Sequence, residues 1–117
     1  MSIAVELDEL RARIEEFSTD AYLLTVSDDG RSHSVAVPVR WDGDELFVSG
    51  GRTSVANARA RSLVALLWPP NERGQFSLIV DADVTGADEG AVRLRPTRAV
   101  LHRPAPSGAG SDCQTIL

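Results

Sequence analysis

Leu7, Leu10, Ile14 and Phe17 recur at i, i+3, i+7 and i+10, while Glu6, Asp8, Arg11, Arg13, Glu15 and Glu16 fall away from that stripe. Such spacing predicts an amphipathic helix of about four turns within residues 1–20, packing its apolar side on a core. Ser18-Thr19-Asp20 ends it. From Ala21 the period becomes two. Tyr22 to Val26 is a short apolar run bounded by Asp28-Asp29-Gly30, a tight-turn signal. In the next strand Val35, Val37, Val39 and Trp41 share one face, with Ser34, Ala36, Pro38 and Arg40 on the other. A second turn at Asp42-Gly43-Asp44 leads into a third strand, Glu45 to Ser49. Connections this short impose an antiparallel meander.

Gly50-Gly51 closes the meander, and Thr53 to Arg61 reads as a short alanine-rich helix capped by Thr53 or Ser54. Ser62 to Trp68 is apolar on both faces, which fits a strand covered on both sides, inside a barrel or across a subunit interface. Pro69-Pro70 stops it. Two longer strands follow, Phe76 to Thr85 and Ala91 to Arg103, joined through Asp88-Glu89-Gly90. In the second, Val92 and Leu94 share a face but Ala99 and Leu101 fall in the opposite phase. Pro96 lies between them, so a bulge or an edge position is expected there. The tail from Pro104 is rich in Pro, Ser and Gly and reads as surface chain. Six antiparallel strands hide their edges by closing, so the expected fold is mainly β (α+β): a small barrel over residues 21–103 in one domain spanning 1–117.

Composition narrows the function classes. At 117 residues the chain is long enough for one core. Its net charge of −5 argues against a nucleic-acid partner. No apolar run is long enough to cross a membrane, and no secretory signal is apparent. The single cysteine, Cys113, excludes an internal disulfide framework and fits a reducing compartment, the cytoplasm. All twelve basic residues are arginine. Anions must therefore be held by guanidinium forks, hydroxyls or backbone N–H groups, and Schiff-base lysine chemistry is excluded.

Catalytic constellations are scarce. His33 and His102 lack ligand-like spacing, so no metal site is expected. Asp81 and Asp83 read as a solvated pair, and Cys113 as an inert thiol. The segment that stands out is Ser49-Gly50-Gly51-Arg52-Thr53-Ser54. Glycines allow close backbone approach, a helix start offers unpaired N–H groups, and Arg52 adds a bidentate donor for phosphate. A tight turn, a helix cap and a solvated arginine would use the same residues. On the outer face of the second strand, the small side chains of Ser34, Ala36 and Pro38 would let a flat ring lie against the backbone; an ordinary edge strand would look the same.

Taken together, Leu24-Thr25, Asp28 to His33, Val37-Pro38-Val39, Asp42-Gly43 and Leu46 to Ser49 resemble the FMN-binding split barrels related to pyridoxamine 5′-phosphate oxidase. Thr53, Ser54 and Asn57 on the helix and the strand Leu63 to Trp68 continue the match. Leu67 to Pro70, Ser77 to Asp81 and Val100 to Pro104 are similar to a small actinobacterial-type subgroup. The resemblance covers roughly Ala21 to Pro104. It implies a homodimer with two flavin sites at the subunit interface. Phosphate would sit near Arg52, Thr53 and Ser54, next to Ser49, Gly50 and Gly51. The ring would rest along Ala36, Val37, Pro38 and Val39, and Trp68 or Gln75 would contribute from the partner chain. Hydride transfer would be the cofactor's chemistry, with an unknown small-molecule substrate. One departure stands out: such relatives often carry a basic residue at the helix start where this chain has Ser54. The acidic composition leans against the deazaflavin coenzyme, whose anionic tail calls for a more basic surface. A deazaflavin- or haem-binding relative and a dimeric barrel that binds another small molecule without redox turnover are the alternatives.

Overall fold

A computed structural model of the protein describes residues 1–105. Cys113 and most of the expected surface tail lie outside them. Eight strands form one antiparallel sheet: β1 (Ser2–Val5), β2 (Ala21–Val26), β3 (Ser32–Val37), β4 (Val39–Asp42), β5 (Glu45–Ser49), β6 (Leu63–Trp68), β7 (Ser77–Asp88) and β8 (Ala91–His102). Helix α1 covers Leu10–Glu15 and α2 covers Arg52–Ala60.

The sheet runs β3-β2-β6-β7-β8-β5-β4, with β1 paired to β8 off that path. Its two end strands, β3 and β4, follow one another in the chain and are separated by Pro38 alone. The curled sheet thus returns to itself at a residue with no N–H to offer a ladder. Here is the first difference from the expected six strands: the second one divides at Pro38, its halves pairing with β2 and β5. The second difference is β1, where Ser2 to Val5 pairs with His102 to Ala99. A helical stripe beginning at Leu7 gave no sign of it, because the first few residues owe their strand form to an open edge of β8. The helix is accordingly shorter than the expected four turns, a 3-10 turn at Leu7–Glu9 leading into α1.

The core lies between the inner faces of the curled sheet. Leu23, Leu46, Val48, Leu66, Leu78, Val80, Val92 and Leu94 are fully buried. The expected phase change in β8 occurs: Asp81 pairs with Arg98 but Ala82 with Pro96, so Thr97 is the extra residue of a bulge. Its hydroxyl donates to the Asp81 carbonyl at 3.2 Å. The bulge returns Ala99 and Leu101 to the same buried side as Val92 and Leu94. The β7–β8 turn places Glu89 at φ 49° and Gly90 at φ 81°, the left-handed pair a two-residue hairpin favours.

Strand β6 is fully buried on one side only, with Ala65 and Leu67 half-buried on the other. Val64, Leu66 and Trp68 are buried, whereas Leu63 is 75% exposed on the other face. Tyr22 and Val26 of the neighbouring β2 are exposed beside it, and the Tyr22–Leu67 and Leu24–Ala65 pairs make the strip continuous. An exposed apolar strip of this kind commonly marks an association surface.

Candidate functional site

The corner where β5 leaves the sheet and α2 begins gathers most of the residues singled out above. Gly51, not Thr53 or Ser54, is the N-cap of α2, in an extended conformation and without a side-chain cap. The first backbone bond of the helix runs from the Val55 N–H to the Gly51 carbonyl at 3.0 Å. The N–H groups of Arg52, Thr53 and Ser54 therefore precede the hydrogen-bonded turns. They carry the positive end of the helix dipole. Arg52 and Thr53 are exposed; Ser54 is 1% exposed, and its Oγ has no hydrogen-bond partner among the described residues.

Gly50 explains why Ser54 is so tightly held. A Cβ at Gly50 would come within 3.3 Å of the Ser54 Cβ, so any larger residue there would push the helix start away from β5 by a few tenths of an ångström. The Gly50 N–H donates to the Gly90 carbonyl at 2.7 Å, tying the corner to the β7–β8 turn. Two arginines pin the far side of α2. Arg59 donates to the Ala87 carbonyl and to Asp88, while Arg61 donates to the Val26 carbonyl and to Asp28. Neither guanidinium is free to serve the helix start.

The other expected residues separate by face. Ser34, Ala36, Pro38 and Arg40 lie on the outer, exposed side of β3 and β4, and Val37 is buried. Val35, Val39 and Trp41 pack against the core as half-buried side chains. The Val39–Val48 pair brings β4 alongside β5, so Pro38 neighbours Ser49 at the same corner. Trp68, in contrast, is 3% exposed and faces the core, with almost no surface for a ligand. Gln75 is exposed in the β6–β7 connection, beside a groove that includes Phe17, Phe76 and Arg103. Asp81 and Asp83 form ion pairs with Arg98 and Arg95. Among the described residues no group of three or more His, Cys, Asp or Glu gathers as a metal site, and no helix is long and apolar enough to cross a membrane.

Two arrangements escaped the reading by spacing. Asn57 of α2 donates to Thr25 Oγ1 and Ser27 Oγ, a polar link between helix and barrel. On the outer face, Arg40 and Phe47 pair across β4–β5 and Phe47 and Arg93 across β5–β8, so two guanidinium groups flank one phenyl ring. Alternation alone places Arg40 outward, but its partner on the next strand becomes visible only with the register.

No family model matches the chain. Uncharacterized proteins of Mycobacterium bovis and Mycobacterium tuberculosis are each 41% identical to it over 118 residues, covering 86% of this chain and 82% of theirs. Among solved structures, an FMN-binding protein from Syntrophomonas wolfei superposes with a TM-score of 0.65 at 12% identity, covering 86% of this chain and 88% of its own. An FAD-binding protein from Mycobacterium smegmatis superposes with a TM-score of 0.59 at 18% identity, covering 88% of this chain and 100% of its own. An F420 reductase gives 0.57 at 21% identity, covering 72% and 90%. At these identities the likeness is one of fold. The chain belongs to the family of the two mycobacterial proteins, and it has a split-barrel fold, the one it shares with the FMN-binding and FAD-binding proteins on which it superposes.

Proposed function

We propose that the chain binds FMN at the Pro38–Ser49–Arg52 corner and serves as a flavin-dependent oxidoreductase of a small molecule. The observation that carries this reading is the uncapped start of α2 beside an unpaired Arg52. Among the described residues no carboxylate lies within ion-pair distance of that guanidinium. A phosphate monoester would accept from the first-turn N–H groups, the Thr53 hydroxyl and the Arg52 fork. Ser54, buried behind them, would contribute its N–H rather than its hydroxyl. The exposed small side chains of Ala36 and Pro38 offer a flat surface for the ring. The flavin, when bound, supplies hydride transfer. The protein's share is to hold it, orient it and shield one face from water. One strong cation at the helix start suits FMN better than a coenzyme with a long anionic tail.

A second copy of the chain completes this reading. The apolar strip of Tyr22, Leu24, Leu63 and Leu67 would be covered by dimerisation, and an approaching subunit would close the open side of the corner. With one cysteine in the whole sequence, we place the protein in the cytoplasm.

Flavin-fluorescence titration of wild type with FMN and with riboflavin tests the proposal. FMN should bind more tightly than riboflavin by at least about tenfold, the share of one charge-assisted contact. Equal affinity for the two would remove the phosphate site, and no binding of either would remove the flavin reading.

A further inference from the structure

Among the described residues, seven of the twelve arginines lie within ion-pair distance of a carboxylate. Arg40 and Arg52 are among the exceptions, and they flank the same corner from two sides. Arg40 lies two residues beyond Pro38 on the outer face of β4, and Arg52 three residues beyond Ser49. In a chain of net charge −5, two guanidinium groups without a carboxylate partner, one on each segment leading from the Pro38–Ser49 corner, need a reason.

Arg40 is also held. Its guanidinium carbon stands 4.2 Å from the centre of the Phe47 ring. Stacking of this kind fixes the plane of the group and leaves its N–H edge pointing away from the ring. The next residue across the sheet, Arg93, lies 5.5 Å from the same ring but is already paired with Asp42. Of the two guanidinium groups on this ring, only the Arg40 fork is left without a carboxylate partner among the described residues. That edge matches a carboxylate, which accepts two parallel N–H bonds and carries a single negative charge. A phosphate dianion would bring a second charge towards Asp42 and Glu45, which face each other at the end of the same ladder.

We propose that Arg40, held flat on Phe47, is the recognition point for a small organic carboxylate, and that this is the class of molecule the corner acts on. The acting part rests on the flavin reading above; the recognition part does not. Phe47 is then a positioning residue, and Arg40 sets specificity.

The test uses the whole protein labelled with nitrogen-15 and followed by NMR, with benzoate as probe and benzamide as its uncharged counterpart. Benzoate should shift the Arg40 Nε–H signal and the backbone amides of Val39 and Phe47, and benzamide at equal concentration should not. Arg40→Gln should weaken benzoate binding by at least about tenfold, one charge-assisted contact. Phe47→Leu keeps the charge but frees the plane, so it should weaken binding by a smaller factor. Arg73→Gln, a loop arginine elsewhere, should leave it unchanged. Absence of benzoate binding to wild type, equal binding of benzamide, or unaltered binding by Arg40→Gln would each overturn the proposal. Benzoate binding without flavin binding would remove the flavin reading and leave the carboxylate site standing. Flavin binding without benzoate binding would do the reverse.

Discussion

Asn57 donates from Nδ2 to Thr25 Oγ1 at 3.1 Å and to Ser27 Oγ at 3.2 Å, joining α2 to β2 and to the residue after it. Asn57 and Thr25 are both buried, 32 residues apart in sequence. The link holds the helix at a set height over the barrel, and with it the N–H groups at the helix start. Replacing Asn57 by leucine keeps the volume but leaves the Thr25 hydroxyl without its donor. We expect a loss of about 1–3 kcal/mol, the cost of an orphaned buried polar group. A urea titration would show it as a lower midpoint at constant slope. An unchanged midpoint would mean the helix is held by its apolar contacts and by Arg59 and Arg61 alone.

Trp41 and Arg40 are neighbours with opposite surroundings. Trp41 packs against the core, with the Arg11 guanidinium 4.5 Å from its ring centre, while Arg40 is exposed on the outer face. Full burial would make Trp41→Ala cost about 3–5 kcal/mol. A half-buried ring should lose less, about 2–3 kcal/mol by area removed from water. Arg40→Ala should stay within the ~0.5 kcal/mol typical of surface changes. Among the described residues the Trp41 Nε1 is buried without a partner, so Trp41→Phe should retain most of the stability of wild type. Comparable small losses for both alanine variants would reverse the assignment of faces.

Leu63 tests the association surface. It is the most exposed large apolar side chain on the β2–β6 strip, and Leu63→Asp places a charge there without disturbing the inner face. Sedimentation at micromolar concentration should give a dimer for wild type and a monomer for the variant, with the same circular dichroism spectrum. A wild-type monomer, or a variant dimer, would show that this strip is not the interface.

Arg52→Ala addresses the phosphate anchor. Losing one bidentate, charge-assisted contact should weaken FMN binding about tenfold to hundredfold and leave riboflavin binding unchanged. Thermal stability should hold, because the side chain is exposed and meets no carboxylate among the described residues. An FMN affinity equal to that of wild type would place the phosphate elsewhere.

Much of this molecule was legible in one dimension. Period-two alternation placed the inner and outer faces of β3, β4 and β7, since adjacent side chains on a strand must point to opposite sides. Turn residues marked the hairpins, and the clash of phase around Pro96 foretold the bulge at Thr97. The glycine pair and the residues after it marked the helix start within one residue. These are local properties, set by backbone sterics and by neighbours a few residues away. Other features depended on which strands meet. Pro38 looks like an interruption in a strand until the sheet order shows it is where the barrel returns to itself. Ser2 to Val5 is a strand only because β8 offers an unpaired edge. Trp68 and Leu63 stand on one apolar strand, yet closure of the sheet buries the first and leaves the second outside. Arg40 meets Phe47 through a register that no spacing along the chain encodes, because hydrogen-bonded pairing between strands, not sequence distance, decides which side chains share a face.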